Sequence, residues 1–164
     1  ESSFNGCGRL SSPLTIGDGK VPVDIPGNAH FANMGALRDV TLGKHVESVG
    51  NDFFNNSWGM KHLYLKTRTH FGVNSFWQWG DRNCVVFVPR SSAEWMADIR
   101  NPALCTPWAD VHRDWQDEYR DKFPGEKEPD GLLTDGFSND YNYAPPRQWV
   151  RTWNPTPGTK LILR

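Results

Sequence analysis

The stretch CVVFVP, from Cys84 to Pro89, gives the strongest indication of the fold. It is a continuous apolar run that the proline ends, and such a run is typical of a strand that is buried on both faces. Upstream, the alternating stretch HLYLK, from His62 to Lys66, predicts a second strand. Between the two, FWQW, from Phe76 to Trp79, predicts a third. We expect these strands to form the middle of a sheet.

A short helix is expected after these strands. Ser91 or Ser92 can cap a helix that contains Glu94, since a serine hydroxyl can accept a hydrogen bond from a free backbone N–H of the first turn. The helix should end before Asn101-Pro102, because the residue before a proline avoids the helical region.

A second helix is predicted with Thr106 as its N-cap and Pro107 in its first helical position. An apolar stripe at helical spacing follows, made of Trp108, Val111, Trp115 and Tyr119. We expect this stripe to be buried against the core and the helix to end near Phe123.

The two ends of the chain are rich in Gly and Pro. Residues from Glu1 to His45 should form short strands and loops, and 126–164 should form an irregular tail that wraps the domain, with a last strand from Lys160 to Arg164. No internal repeat is evident. The order of elements, β-rich, then helical, then irregular, indicates one α+β domain over residues 1–164.

Composition narrows the function classes. The chain has 164 residues, 37% of them hydrophobic, and a net charge of -1, which argues against a phosphate backbone as a bulk electrostatic partner. No apolar run is long enough to span a bilayer, so membrane insertion is not expected. Eight Trp, 12 Pro and 15 Gly favour a compact secreted protein, which we expect to be a monomer whose signal peptide has been removed.

The three cysteines, Cys7, Cys84 and Cys105, lack the spacing of a zinc site, so no metal is expected. Two interpretations stay open: one disulfide with one free thiol, or three reduced cysteines that pack like small apolar residues.

Several short motifs follow one another in the second half of the chain. They are His112-Arg113, Tyr119 to Phe123, Asp130-Gly131, Gly136-Phe137 and Trp149 to Trp153. In this order they resemble the downstream part of the A chain of the heat-labile enterotoxin and cholera toxin family. Upstream, the segment from Glu94 to Pro102 looks like the catalytic-glutamate segment of that family.

The resemblance implies an ADP-ribosyltransferase-like fold, a split β-sheet clamp with peripheral helices that binds NAD in its cleft. It implies a secreted toxin or effector that transfers ADP-ribose from NAD to a host target protein, or hydrolyses NAD. Such a protein acts outside its source cell and can be delivered into host cells.

By the same resemblance, Arg9 and His45 would bind NAD, and Ser57 and Glu94 would be catalytic. Ser57 ends Asn55-Asn56-Ser57, which stands where the family has Ser-Thr-Ser and is also an N-glycosylation pattern. Glu94 follows Ser92-Ala93, so the first carboxylate of the family's Glu-x-Glu is missing. We expect Arg9, Ser57 and Glu94 to line one cleft.

Ordinary explanations stand beside these roles. Arg9 can be a surface charge, His45 a loop residue, and Glu94 a favourable charge at a helix N-terminus. Two further functions therefore stay open. One is a catalytically inactive effector that binds a host protein through an aromatic surface, and the other, suggested by the tryptophan content, is a carbohydrate-binding module.

Overall fold

The computed structural model describes residues 4–21, 23–25, 30–75, 83–133 and 147–155. Two predicted strands, Phe76 to Trp79 and Lys160 to Arg164, lie outside these residues, as does the Gly136-Phe137 motif.

The described residues form ten strands, two α-helices and one 3-10 helix. In chain order these are β1 (Leu14–Ile16), β2 (Val23–Ile25), β3 (Asp39–Leu42), β4 (Val46–Val49), β5 (His62–Leu65), β6 (His70–Phe71), β7 (Asn83–Pro89), α1 (Ala93–Arg100), β8 (Cys105–Pro107), the 3-10 helix (Trp108–Asp110), α2 (Arg113–Lys122), β9 (Gly131–Leu133) and β10 (Arg147–Trp153).

Most of the strands are parallel. One sheet has the order β1-β3-β5-β7-β10-β9-β8, in which the pairs from β1 to β10 are parallel and the last two pairs are antiparallel. A second sheet, β2-β4-β6, is entirely parallel. The predicted class, mixed α and β, is confirmed in this general sense.

The parallel strands arise because the chain winds in stacked coils. Strands of the two sheets alternate along the sequence, and register partners such as Asp39 and His62 are 23 positions apart. A third side is closed by backbone hydrogen bonds between coils, for example from Phe31 N to Phe53 O at 2.9 Å. The arrangement is a short three-sided parallel β-solenoid. The expectation of no internal repeat is therefore wrong.

A column of asparagines runs along one corner of these coils. Asn33 Nδ2 donates to Asn5 Oδ1 at 2.8 Å, and Asn56 Nδ2 donates to Asn33 Oδ1 at 2.6 Å. Asn33 and Asn56 both have a left-handed backbone, with φ of 58° and 56°. Asparagine tolerates this conformation better than most residues, so the column marks the same sharp turn in successive coils.

The interior of the coils is filled by side chains that align in register. Val40, Leu63 and Val86 are successive partners on β3, β5 and β7, and all three are fully buried. The predicted strands at His62 to Lys66 and Cys84 to Val88 are confirmed, and every residue of β7 is buried as expected.

Helix α1 agrees with its prediction. Ser92 is the N-cap, and its hydroxyl accepts a hydrogen bond from Trp95 N at 3.3 Å. The helix ends at Arg100, before Asn101-Pro102. Trp95 joins the core of the coils, which fixes the helix to the solenoid.

The second predicted helix is wrong in its first half. Residues 105–107 form β8 instead, because Pro107 pairs with Gly131 in the sheet, and α2 begins only at Arg113 with His112 as its N-cap. Val111 and Tyr119 are buried as predicted, but Trp115 is 41% exposed. The apolar stripe crosses the break before α2, so it does not define one face of one helix.

The prediction of an irregular tail over residues 126–164 is wrong for two of its segments. The tail supplies β9 and β10, and β10 lies inside the sheet between β7 and β9. Trp149 of β10 is fully buried and packs on Tyr119 of α2, so the tail completes a second core between the helix and the outer sheet face.

The cysteines are not paired. All three are free thiols, so the disulfide alternative is wrong; Cys84 and Cys105 are buried as the reduced alternative predicts, whereas Cys7 is exposed. No helix in the described part of the chain is long and apolar enough to cross a membrane.

Candidate functional site

A cavity of about 230 Å³ opens where three neighbouring strands begin. Its lining consists of Arg38, residues 58–61, Asn83, Lys122 and Phe123. Arg38 directly precedes β3, Lys61 directly precedes β5, and Asn83 is the first residue of β7. Because these strands are parallel and adjacent, the register brings the three side chains to one edge of the sheet.

Trp58 is the aromatic wall of this cavity. It is 60% exposed, which is unusual for a side chain of its size. It lies against Gly35 of the preceding coil, where a Cβ atom would be only 2.9 Å from Trp58 Cζ2. Because glycine has no side chain, the Trp58 indole can pack directly against the backbone of Gly35.

The backbone fixes Arg38. Its Nη1 donates to Gly35 O at 2.8 Å and to Gly59 O at 2.9 Å, and a Cβ atom at Gly59 would overlap the guanidinium. Arg38 Nε and Nη2 have no hydrogen-bond partner among the residues described. Within the described part of the chain, these two nitrogens and their three N–H groups are thus left for a ligand.

The cavity has an excess of positive charge. Lys61 N donates to Arg38 O at 2.7 Å, which ties the two basic residues together, and the Lys61 ammonium makes no ion pair within the described ranges. Lys122 at the end of α2 adds a third cation. The nearest carboxylate in the hydrogen-bond pattern is Glu118, which accepts from Asn83 Nδ2 at 2.7 Å.

Next to the cavity, His62 holds a charged network together. Its Nδ1 is 2.6 Å from Asp39 Oδ1 and its Nε2 is 2.9 Å from Glu126 Oε1. Burial alone would lower the pKa of His62, but the hydrogen bonds and negative charges of the two carboxylates raise it to about 9. Since both ring nitrogens are occupied, the imidazole is a structural link rather than a free base.

The network extends from Glu126 across the outer face of the sheet. Glu126 Oε2 is 3.4 Å from Arg151 Nη1, and Arg151 lies over the ring of Phe87 at 5.0 Å. Glu126 follows α2, so these contacts tie the loop after α2 to β5 and β10. They fix the position of Lys122 and Phe123, which form the helical wall of the cavity.

The four residues that the toxin resemblance selects divide into two pairs. Arg9 and Ser57 precede β1 and β5, on the side where the strands begin. His45 and Glu94 follow β3 and β7, on the side where the strands end. Within the described residues, no hydrogen bond or ion pair joins any two of the four.

Their surroundings also differ. Ser57 is fully buried, and its hydroxyl donates to Phe31 O at 2.8 Å and accepts from Met34 N at 3.3 Å, so it links two coils. Glu94 is 69% exposed in the first turn of α1, with Oε2 at 3.8 Å from Arg68 Nε. Arg9 is exposed and His45 is half-buried in the turn between β3 and β4.

Metal binding finds no support in the part of the chain that the structure describes. No group of three or more His, Cys, Asp or Glu side chains there is arranged to hold a metal ion.

The cavity residues were not among the sequence candidates. Arg38 and Lys61 are far apart in the sequence and carry no motif. The signal that could have found them is the coil spacing: both stand one position before the partners Asp39 and His62, 23 positions apart. Aligned in this way, Arg38 and Lys61 stand side by side, and Asn83 of β7 is one position away from the next residue of that column, Cys84.

This chain matches no family model, no curated protein and no solved structure.

Proposed function

We propose that this protein is a non-catalytic recognition module that binds a small, negatively charged ligand in the cavity beside Trp58. One observation carries the proposal: Arg38, Lys61 and Lys122 line the same cavity as an exposed tryptophan. A cluster of cations favours an anion, Arg38 offers it guanidinium nitrogens that have no partner in the described chain, and an exposed aromatic ring favours a ligand with an apolar face.

The chemistry of the lining favours binding over catalysis. It contains no carboxylate, imidazole, hydroxyl or thiol side chain, and its two lysines, Lys61 and Lys122, are exposed, so burial does not lower their basicity for catalysis. The nearby imidazole of His62 has both nitrogens engaged by carboxylates. The cavity is thus better suited to hold and orient an anion than to react with one.

Titration with citrate, followed by NMR of the tryptophan indole N–H groups, tests this proposal. Trp58→Phe assigns the Trp58 resonance. We expect citrate to shift that resonance, and Lys61→Glu to weaken citrate binding by about tenfold, because the substitution replaces an attraction with a repulsion.

The matched control is Lys44→Glu. Lys44 is an exposed lysine after β3, at the opposite end of the strands, and the same charge change there should leave citrate affinity within about twofold. Equal losses in both variants, or no shift of the Trp58 resonance by citrate, would refute a specific anion site.

A second candidate is the NAD-dependent reaction that the toxin resemblance implies. The observation in its favour is Glu94, whose exposed carboxylate stands in the first turn of α1 beside Arg68. A carboxylate of this kind can stabilise an oxocarbenium-like ribose while nicotinamide leaves. The shared scaffold could then serve a secreted toxin or effector that acts on a host protein.

Thermal unfolding with NAD tests this second candidate. NAD at 100 times its dissociation constant would stabilise the protein by about 2.7 kcal/mol, which raises the melting temperature by about 5 to 10 °C for a chain of this size. If the parent protein releases nicotinamide from NAD and Glu94→Gln does not, the result would support an NAD-dependent enzyme. Unchanged melting and no release exclude it.

A further inference from the structure

We infer that the ligand of the Trp58 cavity is a hexuronate, that is, a six-membered sugar ring that carries a carboxylate. This inference rests on the proposed function and narrows it to one chemical class. It combines three features of the cavity: its size, its aromatic wall and the fixed guanidinium of Arg38.

The size of the cavity limits the ligand to about one ring. Pockets for drug-sized molecules hold about 300–1,000 Å³, and this cavity holds about 230 Å³. A dinucleotide or a folded peptide segment is too large to enter it. A single sugar residue, free or in a chain that continues outside the cavity, is of the right order.

The aromatic wall suits a sugar ring. Trp58 is held against Gly35 while most of its surface stays exposed, so the indole is pre-positioned at little entropic cost on binding. One face of a pyranose is made of C–H groups and can pack on an indole, while its hydroxyls stay in water. A simple inorganic anion has no apolar face that could pack on the indole of Trp58.

The cations suit a carboxylate. Arg38 keeps two guanidinium nitrogens without a partner in the described chain, and its planar fork matches the two oxygens of a carboxylate. The Arg38 side chain is held by carbonyl groups of the two coils that also carry Gly35 and Trp58. One ligand can therefore meet the ring and the fork together.

A matched set of small ligands tests the inference by NMR titration of the whole protein. Glucuronate, glucose and glucose 6-phosphate share one ring and differ at the sixth carbon, and acetate supplies the carboxylate alone. We expect glucuronate to bind at least about tenfold more tightly than glucose and than acetate. Trp58→Ala should remove this advantage over acetate, while Trp115→Ala, at an exposed tryptophan outside the cavity lining, should leave it unchanged.

Gly35→Ala provides a second variant, which keeps the Trp58, Arg38 and Lys61 side chains in the sequence and changes only the packing of the indole. The new methyl would displace the Trp58 ring, so glucuronate affinity should fall severalfold while acetate affinity stays the same.

The outcomes separate this inference from the proposed function. If glucose 6-phosphate binds more tightly than glucuronate, or if acetate equals glucuronate, the hexuronate is wrong while the anion site stands. If citrate, acetate and glucuronate all fail to shift the Trp58 resonance, the anion site itself is wrong.

Discussion

The imidazole Nδ1 of His62 lies 2.6 Å from Asp39 Oδ1, and the two residues are register partners on adjacent strands. The opposite ring nitrogen reaches Glu126, which comes from the loop after α2. One side chain thus joins two coils of the solenoid to the helical layer outside it. His62 has only 12% of its side chain exposed, so these interactions are poorly screened by water.

Stability should fall as the pH rises from about 6.5 to 9. The folded pKa of His62 is raised to about 9 from 6.5, so the bound proton stabilises the fold fully below pH 6.5 and this contribution is lost as the pH passes 9. The shift corresponds to about 3 kcal/mol as an upper value. Urea unfolding at a series of pH values measures it.

His62→Gln should remove most of this pH dependence and lower the stability at pH 6. His45→Gln, at a histidine outside the network, should keep the slope of the parent protein. If the stability of His62→Gln depended on pH as strongly as that of the parent protein, the His62 network would not be the cause of this dependence.

Tyr119 and Trp115 should respond very differently to truncation although they lie one turn apart on α2. Tyr119 is buried in the second core and its hydroxyl donates to Lys127 O at 2.9 Å, so Tyr119→Ala should cost about 3–5 kcal/mol. Trp115→Ala should cost much less, about 1 kcal/mol, because Trp115 is 41% exposed and lies outside both buried cores. Chemical denaturation compares the two, and equal losses would contradict the orientation of α2.

Asn33 should be sensitive to backbone conformation as well as to hydrogen bonding. Its φ of 58° is unfavourable for alanine, so Asn33→Ala should lose about 2 kcal/mol, while Asn33→Gly keeps the turn and should lose about 1 kcal/mol. Asn101 has φ of -89° and a similar exposed side-chain bond, to Ala103 N. At Asn101 the order should reverse, so that Asn101→Gly loses more stability than Asn101→Ala. The same order at both sites would be evidence against the left-handed turn.

Only one thiol should react in the native protein. Cys7 is exposed, whereas burial raises the pKa of Cys84 well above its usual value and that of Cys105 to about 11. A thiol reagent at pH 8 should modify one cysteine quickly in buffer and all three in denaturant. Fewer than three in denaturant would reveal a disulfide.

Local signals were enough to predict β5, β7 and α1. An apolar run stopped by Pro89 and a serine cap at Ser92 act within a few residues, so the sequence shows them directly. The stripe from Trp108 to Tyr119 failed because apolar spacing cannot tell one continuous helix from a strand, a 3-10 turn and a shorter helix. Residues 105–107 form a strand because Pro107 pairs with Gly131, which is distant in the sequence, so no local pattern could predict it.

The coils and the cavity could not be read from motifs. Equivalent positions hold different residues, such as Val40, Leu63 and Val86, because the interior requires apolar volume and not a particular side chain. The cavity compounds this difficulty, since Arg38, Lys61 and Asn83 meet only after three strands are in register. Their proximity is a property of the winding.

The fixed winding also limits how this protein can change in length. Deleting one residue between Asp39 and His62 would shift the frame of every later layer, turning Leu63 outward and separating Trp58 from Gly35. Inserting one complete turn of 23 residues, the spacing of Asp39 and His62, would instead add a layer about 4.8 Å thick and leave the others intact. Insertions and deletions in this part of the chain should therefore be tolerated as whole layers.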